Sequence, residues 1–95
     1  MQRDYLTRLA RYLARHKRYP QAAWARRQEG TGHLLFAIDA AGRVTAAELR
    51  RSSGHGLLDR EILALIERAA PLPAIPPELG VSRLEVVLPI TFRIE

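Results

Sequence analysis

Ninety-five residues, 47% of them hydrophobic, are enough for one small domain with a modest core, and with no cysteine neither a disulfide nor a thiolate metal site supports it. No apolar run approaches the roughly 18–20 residues of a membrane helix, and no signal peptide opens the chain, which suits a cytoplasmic protein or one domain of a longer one. The net charge of +5 sits in residues 1–30, which carry eight basic side chains against Asp4 and Glu29; residues 31–95 carry seven against eight.

The first stretch, "DYLTRLARYLARHKR", sets apolar residues at 5, 6, 9, 12 and 13, with arginine at 8, 11 and 15 between them. That is helical spacing, with Asp4 as its N-cap. Tyr5, Tyr12 and Tyr19 recur every seven residues, but Pro20 biases Tyr19 away from the helical region. Pro20 suits the first turn of a second helix, "PQAAWARRQ", ending near Gly30 and Gly32. "HLLFAID" then alternates, with Leu34, Phe36 and Ile38 on one parity. "DAAGRV" reads as a turn, giving a hairpin into a strand "RVTAAELRRS" whose inward candidates are Ala47 and Leu49. "SGHG" breaks the pattern, and "LLDREILALIERAA" is helical, with Leu58, Ile62, Leu65, Ile66 and Ala69 as its buried stripe. Asp59 in its first turn and Arg68 near its last suit the helix dipole. "PLPAIPPELG" holds four prolines in ten residues and is expected to be an extended, helix-free connector.

The last fourteen residues, "SRLEVVLPITFRIE", form the longest predicted strand. Leu84, Val86, Leu88, Ile90, Phe92 and Ile94 fall on one parity; Glu85, Val87, Pro89, Thr91 and Arg93 fall on the other. This is the alternation of a half-buried strand. Proline cannot donate to a ladder, so Pro89 places the strand at an edge. The order helix, helix, strand, strand, helix, strand returns the third strand antiparallel to the first. The reading is an α+β domain with a three-stranded antiparallel sheet, order 2-1-3, and helices packed on one face. If Pro89 faces the vacant side, the main-chain groups of Glu85, Val87, Thr91 and Arg93 face it too. Such an edge is either blunted against aggregation by Glu85, Pro89 and Arg93, or left open to receive an extended peptide.

Ser52, Ser53, His55 and Asp59 lie within eight residues and invite a catalytic-triad reading. The nucleophile-elbow pattern is absent, and a turn feeding a helix N-terminus accounts for them better. His16, His33 and His55 are too scattered for a metal site. No catalytic residue, cofactor or metal is expected, and the chain reads as a non-enzyme. Arginines interleaved with tyrosines in the first helix raise a nucleic-acid hypothesis. The tyrosines share their stripe with leucines, however, so packing explains them more simply, and no nucleic acid is expected.

Nine landmarks follow one another along the chain: Tyr19-Pro20, Gly32, Phe36, Gly42-Arg43-Val44, Ser52-Ser53-Gly54, Leu58-Asp59, Ala70-Pro71-Leu72-Pro73, Leu88-Pro89-Ile90 and Phe92. In that order they resemble the C-terminal domain of the TonB family of energy-transducing proteins. The resemblance covers residues 19–95, with residues 1–18 as a preceding amphipathic basic helix, in a single domain overall. It implies the periplasmic domain of a protein anchored in the inner membrane by a segment absent from this sequence. It further implies that the domain grips the TonB box of outer-membrane receptors as a strand added beside its last strand. An inner-membrane proton-channel complex would supply the energy for uptake of iron chelates, haem or other nutrients. The partner-binding residues it implies are Tyr19, Pro20, Glu85, Val87, Pro89, Thr91 and Arg93. Family members carry a glutamine-proline-rich stretch before the tyrosine-proline pair, where this chain has "RHKRYP". Arg15, Lys17 and Arg18 are expected there to favour an acidic receptor surface. Edge strands also pair with each other, so a homodimer is a further expectation. The rival reading is a TolA-like periplasmic envelope adaptor of similar fold.

Overall fold

In the computed structural model, which describes residues 2–95, helix α1 (Gln2–His16) buries Tyr5, Leu9 and Leu13 completely. Its arginines at 3, 8, 11 and 15 stay exposed, as the alternating pattern requires. The helix begins at Gln2, so Asp4 lies in its first turn instead of capping it; a carboxylate there still complements the positive helix end. Helix α2 (Gln21–Ala25) is shorter than expected, and Pro20 precedes it as N-cap. Arg27 turns into the left-handed region at φ 54°, and Gln28 N–H closes the end on Ala23 O at 2.9 Å. Gly30 and Gly32 therefore do not end the helix. Both lie inside strand β1 (Gly30–Asp39), where a side chain at Gly32 would strike Ile62.

Strand β2 (Val44–Arg51) follows the hairpin, then helix α3 (Gly56–Ala69) and strand β3 (Arg83–Phe92). The sheet order is β2-β1-β3, antiparallel throughout. β1 and β3 are both ten residues long, so the last strand is not longer than the first. Between α3 and β3 the proline-rich connector is not wholly helix-free, because Pro77–Leu79 forms one 3-10 turn. Proline presets the required φ there, and Gly80, at φ 67°, closes the turn with its N–H on Pro77 O at 3.0 Å. At the hairpin Gly42 adopts φ 88° and lies against Leu72, whose N–H donates to Gly42 O at 2.9 Å. A Cβ at Gly42 would collide with the Leu72 carbonyl, so the connector can cross the hairpin only over a glycine.

Leu34, Phe36 and Ile38 of β1 meet Val86, Ile90 and Phe92 of β3 under α3, whose buried residues include Leu58, Ile62, Leu65, Ile66 and Ala69. The helices pack on this one face. α1 is tied to the connector and to the end of α3 as well: Tyr5 OH donates to Pro73 O at 2.7 Å and Tyr12 OH to Ala69 O at 3.1 Å. Of the two inward candidates on β2, Leu49 packs against the core, but Ala47 is exposed. The C-terminal end of α3 stands off β2 and leaves a groove of about 790 Å³ lined by Val44, Ala47, Ile66, Glu67, Ala70 and Pro71.

Candidate functional site

Main-chain direction along β1 fixes what β3 offers to solvent. Asp39 N–H donates to Arg43 O at 3.0 Å, so Asp39 turns its main-chain groups toward the β2 side. By alternation the odd residues of β1 serve β2 and the even ones serve β3. The β1–β3 register runs unbroken from Gly30 opposite Phe92 to Asp39 opposite Arg83. Even residues of β3 therefore exchange bonds with β1, while Glu85, Val87, Pro89 and Thr91 turn theirs away from it. Pro89 fits only this parity, because opposite His33 its missing N–H removes no ladder bond. A side chain makes the same point independently: Lys17 Nζ donates to the Thr91 carbonyl from outside the sheet.

The candidate residues separate into two groups along the strand. At one end Glu85 is exposed, with Arg83 as its ion-pair partner at 3.5 Å, and Val87 is 44% exposed. At the other end the Phe92 ring gathers the linker residues. Lys17 Nζ lies 5.1 Å from its centroid, and Tyr19 meets it edge-on at 5.4 Å. Tyr19 OH donates to Gln28 O, so the tyrosine braces α2's exit against the end of β3. Thr91 Oγ1 bonds Thr31 Oγ1 at 3.0 Å across the strands. Arg93 is exposed just past the strand, beside a 240 Å³ hollow that it lines with Glu29, Thr31 and Thr91. Pro20 is half-buried at the start of α2, and Arg15 lies over the Tyr12 ring at 5.8 Å.

The linker between α1 and α2 is held by Glu61, which the sequence reading passed over, and by Arg68, which it assigned only to the helix dipole. Glu61, on α3, is buried among the apolar stripe and binds Arg68 Nη2 at 2.6 Å. The same carboxylate oxygen accepts Arg18 N–H at 2.8 Å, and Arg68 Nη2 donates on to His16 O at 2.8 Å. Residues on both sides of Lys17 are thus fastened to α3. A signal was present, since Glu61 stands three residues after Leu58 and one before Ile62, inside the buried stripe. An acid there needs a partner. Burial holds the Lys17 ammonium below the ordinary lysine range.

Ser52, Ser53 and Asp59 make a turn lock. Asp59 accepts Ser52 Oγ at 2.5 Å, Ser53 N at 2.8 Å and Ser53 Oγ at 2.7 Å. Burial alone would raise its pKa, but these hydrogen bonds and nearby His55 outweigh it and hold the carboxyl below its usual value. Among the described residues no group of three or more His, Cys, Asp or Glu could hold a metal, and no helix is long and apolar enough to cross a membrane.

A family model for the C-terminal part of the Gram-negative bacterial TonB protein matches residues 15–94. Protein TonB of Pseudomonas putida is 40% identical over 86 residues, covering 90% of this chain and 35% of that protein. The chain thus spans about a third of the length of the curated relatives it matches. The solved TonB C-terminal domain of Helicobacter pylori, residues 179–285, superposes with a TM-score of 0.82 at 26% identity. That match covers 97% of this chain and 82% of the other. The solved C-terminal domain of HasB is 42% identical with a TM-score of 0.60, covering 93% and 68% respectively. With the matched residues running from the end of α1 through β3, this chain belongs to the TonB C-terminal domain family.

Proposed function

We propose that the chain is the receptor-binding periplasmic domain of an energy transducer. It receives the TonB box of outer-membrane receptors as a strand beside β3. An inner-membrane anchor and proton-channel complex elsewhere in the assembly supply the work, and receptors use it to admit iron chelates, haem or other scarce nutrients. The module binds and transmits force; it carries out no chemistry of its own. The observation that carries this reading is the outward main chain of β3, where Glu85, Val87 and Thr91 turn away from β1 on a strand whose other side is fully paired. Recognition through main-chain bonds tolerates varied side chains, which suits one transducer serving several receptors. The basic linker at Arg15, Lys17 and Arg18 adds attraction for an acidic receptor surface, and Tyr19 and Pro20 fix where that linker enters α2.

Titration with a synthetic TonB-box peptide from a receptor of the same organism, followed by amide NMR, tests the proposal. Shifts concentrated at Glu85, Val87, Thr91 and Arg93, with β2 and α3 quiet, are the expected result. No shifts at millimolar peptide would refute strand addition by this domain and favour an envelope adaptor of TolA type. Shifts confined to residues 5–18 would place binding on α1 instead.

A further inference from the structure

The outward groups of β3 are not equally available. Glu85 and Val87 each present an N–H and a carbonyl, and Pro89 presents a carbonyl alone. Thr91 presents its N–H, but Lys17 already holds its carbonyl. Lys17 is not a loose surface lysine reaching a chance acceptor. His16 O is bound by Arg68 and Arg18 N–H by Glu61, so its neighbours on both sides are fixed to α3. Its side chain is half-buried over the Phe92 ring. Beside it a cleft of about 50 Å³ separates α1 from the strand, with Ala10, Leu13 and Ala14 on one wall and Pro89 and Thr91 on the other.

We infer that Lys17 is a displaceable cap on the receiving edge, and that a segment pairing through Thr91 must bring a carboxylate to accept the ammonium it displaces. The inference rests on the strand-addition reading and adds the chemistry of the partner. A strand reaching Thr91 replaces the lysine's hydrogen bond to that carbonyl with a main-chain one. The released ammonium then lacks an acceptor in a half-buried place, which is unfavourable unless the newcomer supplies one. Segments without an acid at that point pair at Glu85 and Val87 and stop short. Segments with one pair along the whole strand. In the free domain the same cap shields the end of the edge from pairing with a second copy.

The test uses two end-blocked ten-residue threonine-valine peptides, identical except for glutamate or glutamine at both ends, so that either strand direction presents the acid. Each is titrated into the wild-type domain and into Lys17→Met, which keeps the aliphatic stem over Phe92. In the wild type both peptides shift the Glu85 and Val87 amides, but only the glutamate peptide shifts Thr91. The glutamate peptide also binds roughly ten-fold tighter, the equivalent of one charge-assisted hydrogen bond. In Lys17→Met, Thr91 responds to both peptides and the advantage of glutamate disappears. In the wild type, Thr91 responding equally to both peptides, or to neither, while Val87 responds overturns the cap. Silence at both Glu85 and Val87 overturns the strand-addition reading itself. The two wild-type titrations decide the matter even if the variant folds poorly.

Discussion

Replacing Glu61 by alanine should destabilise the domain far more than removal of an exposed helix carboxylate would. The carboxylate is 9% exposed and its partner Arg68 is 25% exposed at the side chain. It accepts Arg68 at 2.6 Å and the Arg18 N–H at 2.8 Å, so truncation strands a guanidinium and a main-chain donor together. Removing one partner of a buried pair costs about 3–5 kcal/mol. Arg68 retains His16 O and some water, which places Glu61→Ala at the lower bound, about 3 kcal/mol. For a domain of this length each kcal/mol moves the midpoint by about 4–8 °C, so a fall of about 12–24 °C is expected in thermal denaturation followed by circular dichroism. Glu61→Gln keeps a neutral acceptor and should lose roughly half as much, since charge-assisted bonds are about twice as strong as neutral ones. Arg68→Met with Glu61→Ala should recover part of the loss, because no buried charge is then left alone. A fall of less than about 4 °C for Glu61→Ala would refute the reasoning, for the pair would then be worth no more than an exposed ion pair.

Two further changes probe the frame around the site. Gly42→Ala places a Cβ at φ 88° against the Leu72 carbonyl, and backbone strain plus the displaced connector should cost about 2 kcal/mol or more in urea denaturation; an unchanged midpoint would show that the connector does not depend on this crossing. Asp59→Asn should lower stability at neutral pH by about 0.5–1 kcal/mol, a modest figure because the carboxylate is only partly buried and solvent screens it. The folded pKa of Asp59 is depressed, so its contribution is present above the unfolded value of about 3.9 and is lost as pH falls through the folded one. The gap between wild type and variant should therefore hold steady near pH 7 and close below about pH 4; a gap that widens on acidification would contradict that sign.

The sheet was legible because Leu34, Phe36 and Ile38, and Leu84 through Phe92 on the even positions, keep large apolar side chains on one parity, and because Pro89 admits one parity only. The order β2-β1-β3 then followed from a hairpin and one crossover. The stripe of α3 was legible for the same reason, since five apolar residues at helical spacing leave no other face. Ends were less legible. The second helix stops at Ala25 because Arg27 accepts a left-handed conformation, and nothing about an arginine announces that. Ala47 reads as inward by parity, yet whether it is covered depends on how far α3 stands from β2, a tertiary quantity. Lys17 read as one charge in a basic run. Its role at Thr91 depends on the Glu61–Arg68 tether, which joins residues more than forty positions from the linker.

The two ladders of the sheet differ in a way that bears on force. β1 and β2 pair with register shifts after His33 and after Ala37, so the β2 strand is bulged twice along its length. β1 and β3 pair through ten residues with none. Bulges twist and bend the strand that carries them, and here they lie on the side away from the outer edge of β3. A single bulge in β3 would break the alternation that turns Glu85, Val87 and Thr91 outward together, and residues beyond it would present the wrong groups. On the proposed reading, a peptide held beside β3 passes its load to a strand whose alternate residues all bond to β1. Val86, Ile90 and Phe92 of that same strand are packed in the core. Pulled along its length, such a ladder engages its bonds together instead of one at a time. On that reading, the continuity of the β1–β3 register is what both the presentation of the edge and its resistance to load require.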